Sequence, residues 1–132
     1  MKVLAVDLGE KRTGFAVSDP EERMALALPT LEDVAAADAA RVAAEQGAGC
    51  VVVGLPLNMD GTAGPAARRS LAFIEELKLH LDVPVIAWDE RLSTAEGDAR
   101  LRQAGLRRKD RRKRADAAAA VVILESYLGR PR

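Results

Sequence analysis

The sequence contains little of what disulfide frameworks and most protein metal sites require. Its 132 residues include one cysteine, Cys50, and one histidine, His80. A single cysteine excludes a disulfide framework and a cysteine-based zinc site, and it fits a cytoplasmic protein. A single histidine excludes a histidine-rich metal site. A catalytic metal ion would therefore have to be held by carboxylates.

Aromatic residues and long apolar runs are also scarce. Aromatics make up 3% of the chain, so recognition of single-stranded nucleic acid by base stacking has little support. No window approaches the roughly 18 consecutive apolar residues of a membrane span. The chain meets Asp7 too early for a secretory signal. With 48% apolar and 30% charged residues, the composition predicts a soluble globular protein with a single domain over residues 1–132.

The net charge is zero, but the charges are unevenly distributed. Residues 100–114 contain nine Arg or Lys residues and one acid, Asp110, which gives this basic segment a local charge of +8. The rest of the chain carries the compensating negative charge. A dense cationic segment on a neutral protein is typical of local contact with a polyanion such as nucleic acid. The alternative is a solvated helix face.

The hydrophobic pattern predicts an α/β domain. Strands are expected at 3–8, 13–18 and 24–28, as an antiparallel meander, and then at 50–55 and 83–88. Helices are expected from a Thr30–Asp33 capping box to about Gln46, from Pro65 to about Leu81, from a Ser93–Glu96 capping box to about Ala104, and from about Arg114 to Leu128. Three antiparallel strands followed by two parallel ones form a mixed five-stranded sheet with helices on both faces. That is the arrangement of the ribonuclease H-like fold.

Three acids are placed where a site would form. Asp7 and Glu90 follow strands that are expected to be parallel, and sites in such sheets lie outside the carboxyl ends of the strands. Asp116 opens the final predicted helix. If the strand of Cys50 lies between the other two, a gap of roughly 9.6 Å separates the strands of Asp7 and Glu90. Glu90 spans that gap better than Asp89.

Each acid also has a structural interpretation. Asp7 could cap the turn that follows it, Glu90 could pair with Arg91 at the surface, and Asp116 could be a helix N-cap. Taken together, clustered carboxylates without His or Cys favour Mg²⁺ or Mn²⁺. Two such ions about 3.5–4 Å apart would bridge the acids and promote hydrolysis of a phosphodiester.

Four segments, in order along the chain, resemble the motifs of the YqgF (RuvX) family. They are DLGEKRTGFAVSD at 7–19, GLPLNMDG at 54–61, DERLST at 89–94 and DAAAAVVIL at 116–124. The resemblance implies a ribonuclease H-like fold related to Holliday junction resolvases. It also implies a nuclease that processes the 5′ end of pre-16S rRNA in the cytoplasm, and some members of the family are regarded as resolving branched DNA.

The resemblance implies that Asp7, Glu90 and Asp116 are the catalytic, metal-binding acids, and that residues 54–61 lie close to the substrate backbone. Related resolvases carry two acids one turn apart on the last helix, whereas Ala119 and Ala120 stand at those positions here. A fourth ligand would have to come from elsewhere, and Asp89 is the candidate.

The predicted function is therefore a metal-dependent endonuclease that acts on structured nucleic acid, as a monomer or homodimer. The alternatives are a resolvase of branched DNA and a nucleic-acid-binding ribosome-assembly factor without catalysis. The residues expected to contact nucleic acid are Arg12, Arg91, Arg107, Arg108, Lys109, Arg111, Arg112 and Arg114. An actin-like ATPase is disfavoured because the chain is too short for the two domains that such enzymes need. A P-loop enzyme is disfavoured because the glycine-containing loop lacks a Gly-Lys-Ser/Thr ending. A dinucleotide-binding fold is disfavoured because a hairpin, and not a helix, follows the first strand.

Overall fold

A mixed five-stranded sheet forms the centre of the molecule. The computed structural model describes residues 1–92 and 108–131, with the backbone alone for 108–117. The strands are β1 (Val3–Asp7), β2 (Arg12–Ser18), β3 (Ala25–Glu32), β4 (Cys50–Leu55) and β5 (Val85–Asp89). Their order across the sheet is β3-β2-β1-β4-β5. β1 pairs antiparallel with β2 and parallel with β4, and β4 pairs parallel with β5, as the pattern predicted.

Helices cover both faces of the sheet, which confirms the expected layers. They are α1 (Ala36–Gln46), α2 (Pro65–His80) and α3 (Arg108–Leu128). α1 and α2 pack on one face, where Phe73 and Leu77 contact alternate strand residues such as Leu4 and Val53. α3 packs on the other face through a second core cluster. Residues 3–6 of β1 are therefore buried on both sides.

The third strand and the first helix differ from prediction. β3 runs on to Glu32 because its pairing with β2 resumes after an irregularity opposite the Thr13–Phe15 step. Pro29, which would interrupt a central strand, is tolerated on this edge strand where the ladder is broken. The predicted Thr30–Asp33 capping box is therefore wrong. The capping contact comes from Asp38, whose carboxylate accepts a hydrogen bond of 2.9 Å from the Ala35 N–H.

The final helix begins earlier than predicted. α3 starts at Arg108 instead of Arg114, so much of the basic segment has a helical backbone. Asp116 is the ninth residue of this helix and does not open it, which removes the N-cap interpretation. The helix predicted between Ser93 and Ala104 lies outside the described residues. α2 and the strand at 50–55 match their predictions closely, and β5 lies one to two residues later than expected.

Candidate functional site

Asp7 lies at the carboxyl edge of the sheet, at the end of a fully buried strand. It is half-buried and stands beside Gly14 of β2 in the antiparallel register. Side chains alternate along a strand, so Asp7 points to the same face as Val3 and Ala5, which pack against α3. A carboxylate at the end of such a strand is costly to bury unless a proton, a cation or a hydrogen bond compensates its charge.

Glu90 reaches the same place from two strands away. It follows β5 directly and begins a short 3₁₀ turn, Glu90–Leu92. Its side chain passes over β4 at Gly54, where an added Cβ would lie 3.0 Å from both Cγ and Cδ of Glu90. The same Cβ would lie 2.6 Å from Cδ1 of Ile123 on α3. The missing side chain of Gly54 therefore provides the space through which Glu90 approaches Asp7.

The two carboxyl groups meet directly. Burial, the negative charge of Asp7 and a hydrogen bond with the Asp7 side chain together raise the pKa of Glu90 from 4.5 to about 7, and burial is the largest of these causes. The protonated Glu90 donates to the Asp7 carboxylate, so the proton belongs to the pair. In this structure the predicted gap between the strands is closed by direct contact between the side chains.

The shared proton makes stability depend on pH. The native pair holds it up to about pH 7, whereas Glu90 in the unfolded chain loses it near 4.5. The native state therefore binds more protons between these values, and the free energy of unfolding should fall as pH rises through this window. We expect a loss of about 2 kcal/mol, which is less than the full pKa difference because water reaches the sheet edge.

Urea denaturation at several pH values in EDTA measures this effect. Glu90→Gln cannot titrate, so its unfolding free energy should lack the decline, and an equal decline in that variant would contradict the assignment. A divalent cation held by these two carboxylates would compete with the proton for the same oxygens, so Mg²⁺ is then expected to stabilise the wild-type protein more at pH 8 than at pH 6.

Asp89, the candidate fourth ligand, is held by an arginine. Its carboxylate accepts hydrogen bonds from Arg91, with Nη2 at 2.7 Å and Nε at 2.9 Å from Oδ2. This pairing lowers the pKa of Asp89 and keeps the carboxylate ionised. The ion pair with Arg91 that the sequence suggested for Glu90 is thus formed by its neighbour Asp89.

The remaining predicted site residues are only partly described. The backbone of Asp116 lies on α3 one turn before Ala120, which is buried against the sheet, while its side chain is outside the described residues. The structure also describes only the backbone of five basic residues on α3, namely Arg108, Lys109, Arg111, Arg112 and Arg114. Arg107 lies outside the described residues altogether. Arg12 is the first residue of β2, where it stands opposite Glu32. Within the described part of the chain, no three His, Cys, Asp or Glu side chains converge.

The last residues of the first motif support the sheet at its other end. Ser18 is buried, and its hydroxyl accepts a 2.9 Å hydrogen bond from the Val3 N–H. The Asp19 carboxylate accepts hydrogen bonds of 2.7 Å from the N–H groups of Arg23 and Met24. Since these residues adjoin the start of β1, they lie at the edge opposite Asp7 and outside the candidate site.

The chain matches one family model and several curated relatives along nearly its whole length. A model of the family described as "RuvX: Holliday junction resolvase" matches residues 1–130. The chain is 47% identical over 136 aligned residues to a protein of Anaeromyxobacter dehalogenans (strain 2CP-C) named "Putative pre-16S rRNA nuclease", covering 98% of each chain. A protein of the same name from Pelotomaculum thermopropionicum is 41% identical over 140 aligned residues, covering 100% of this chain and 91% of the relative.

Solved structures agree with the fold. The fowlpox virus resolvase in complex with Holliday junction DNA superposes with a TM-score of 0.60 at 14% identity, covering 97% of each chain. Thermus thermophilus RuvC gives a TM-score of 0.58 at 18% identity, over 96% of this chain and 95% of RuvC. Together with the sheet order, these likenesses confirm the ribonuclease H-like fold.

Proposed function

This chain belongs to the RuvX family, as its four motifs predicted, and we propose that it is an endonuclease that hydrolyses phosphodiester bonds in structured RNA. Its substrate would be pre-16S rRNA, after which its relatives are named, and it would cut at the 5′ end of that RNA. The observation that carries the proposal is the Asp7–Glu90 pair, which two non-adjacent strands bring together at the carboxyl edge of the sheet.

The donor set fits a hard divalent cation. The carboxylates of Asp7 and Glu90 offer only oxygen ligands, and their mutual repulsion is relieved by any positive charge placed between them. We propose that Asp7, Glu90 and Asp116 hold Mg²⁺ or Mn²⁺, two ions in the complete site. The cations, when bound, supply the positive charge that phosphodiester hydrolysis requires.

The protein's own residues would prepare the site. Asp7 is fixed by a buried strand, and Glu90 is directed over Gly54, so both carboxylates have little freedom to turn away. Such preorganised oxygens need not reorganise when the substrate arrives. The basic residues of α3, together with Arg12, would bind backbone phosphates on either side of the scissile bond.

A second candidate is resolution of branched DNA. It is favoured by the description of the matching family model, which names a Holliday junction resolvase. Symmetric cutting of two strands requires two active sites, so this function would call for a homodimer, whereas RNA processing could proceed with a monomer.

We also place the protein in the cytoplasm, where ribosomal RNA is processed. No helix in the described part of the chain is long and apolar enough to cross a membrane.

A cleavage assay tests the proposal and separates the candidates. Purified protein is incubated with a pre-16S 5′-leader RNA and with a four-way DNA junction, in Mg²⁺, in Mn²⁺ and in EDTA. We expect the RNA to be cut in the presence of either metal and not in EDTA. Preferential cutting of the junction would support the resolvase function. Binding without cutting in either metal would contradict the nuclease proposal and favour a ribosome-assembly factor.

A further inference from the structure

Arg91 joins two segments at the candidate site. Its guanidinium forms a fork with Asp89, and its backbone N–H also donates to Asp89 Oδ1 at 2.9 Å. The Asp89 and Arg91 side chains are 26% and 33% exposed, so water only partly screens this ion pair. On its other side, Nη1 of Arg91 donates to the carbonyl oxygen of Met59 at 3.2 Å. The arginine thus ties the end of β5 to the loop that follows β4.

That loop is closed by its own hydrogen bonds. The Asn58 N–H donates to the Thr62 carbonyl oxygen at 2.9 Å, and the Gly61 N–H donates to the Asn58 carbonyl oxygen at 2.8 Å. The Asp60 carboxylate accepts from the N–H and the hydroxyl of Thr62 at 3.0 and 2.6 Å. Gly61 adopts φ +87°, which glycine tolerates and which completes the tight turn. Residues 58–62 therefore form a compact unit, the 58–62 turn.

The closed turn needs an external contact to fix its place. Its hydrogen bonds set its internal shape, but they do not determine where it sits relative to β5. Among the described side chains, the hydrogen bond from Arg91 to Met59 connects the turn to the segment that carries Glu90. The site of a Cβ on Gly61 is 3.5 Å from Nη1 of Arg91, so the turn also packs directly on the guanidinium.

We propose that Asp89 and Arg91 act as a brace that holds the 58–62 turn against the edge bearing Asp7 and Glu90. Arg91 is then a positioning residue. Since Asp89 neutralises much of its charge, Arg91 offers little net attraction to a phosphate. The effect on cleavage rests on the nuclease function proposed above, whereas the brace itself is a property of the free protein.

Hydrogen exchange in the free protein tests the brace. Arg91→Gln and Asp89→Asn should each accelerate exchange of the Asn58, Gly61 and Thr62 amides about tenfold, as expected for loss of a hydrogen bond to a charged group. The double variant should show no further acceleration, because both changes remove the same brace. Arg69→Gln breaks a comparable ion pair, with Glu10 at 2.8 Å, and should leave these amides unchanged. Unchanged exchange in Arg91→Gln would overturn the proposal.

Kinetics distinguish a brace from a direct phosphate contact. If the pair acts as a brace, kcat should fall about ten- to a hundredfold in both single variants, because small displacements near a reacting centre are costly. The affinity for the substrate should stay within a few-fold of the wild-type value. A phosphate contact predicts that Asp89→Asn strengthens binding and that Arg91→Gln lowers the salt slope by about 0.7–0.9. That pattern would overturn the positioning role. If the wild-type protein cuts neither substrate, the nuclease proposal fails, while hydrogen exchange still decides whether the brace exists.

Discussion

Replacing Asp7 by asparagine is expected to lower the rate of cleavage on the order of a thousandfold, while the affinity for nucleic acid changes by no more than a few-fold. Asparagine has nearly the same shape as aspartate, so β1 and its core contacts should persist. The substitution removes one of the two carboxyl groups that meet at the sheet edge, and with it a ligand oxygen of the proposed cation site. The phosphate contacts proposed for the basic segment are left in place.

Single-turnover cleavage and fluorescence anisotropy, measured on the same substrate, provide the two readouts. Asp82→Asn is a matched control, since Asp82 is an exposed acid that precedes β5 at the opposite end of the strand. It should retain full activity. A parallel loss of binding and cleavage in Asp7→Asn would show that Asp7 is not a metal ligand.

Neutralising four arginines of the basic segment is expected to have the second large effect. With Arg107, Arg108, Arg111 and Arg112 changed to glutamine, the slope of log affinity against log salt should become less steep by about three to four. At about 0.1 M salt this corresponds to a loss of affinity on the order of a thousandfold. Glutamine is a good helix former, so the helical backbone that begins at Arg108 should remain.

The control is a variant with the same change in net charge elsewhere on the surface. It replaces four exposed arginines outside the basic segment, namely Arg23, Arg41, Arg68 and Arg69. Its salt slope should stay close to that of the wild-type protein. If the slope of the basic-segment variant is also unchanged, these arginines form only a solvated helix face.

The sheet was predictable because its signals are local and strong. The run from Val3 to Val6 predicts a strand buried on both faces, and the structure places β1 at the centre of the sheet. The end of β3 was not predictable in the same way. Pro29 and Thr30 resemble a strand end and a helix start, yet pairing with β2 extends the strand to Glu32. Tertiary pairing here outweighs the local preference.

The candidate site was likewise predictable in part. The position of Asp7 and Glu90 at one sheet edge follows from strand order, and in the structure the Glu90 side chain crosses β4 to reach Asp7. The role of Gly54 was missed, because it depends on a contact with a residue 36 positions later in the chain. The one local signal is a glycine that interrupts the run of valines at 51–53.

The space above Gly54 also constrains how this site can change during evolution. A Cβ there would lie 3.0 Å from Cγ and Cδ of Glu90, so even alanine would push the glutamate side chain aside and couple the two positions. A lineage that gains a Cβ at position 54 must therefore shift the side chains of Glu90 and Ile123 or replace one of them. Across homologous sequences the two residues should therefore vary together, and a chain with alanine at the first and an active glutamate at the second should be rare.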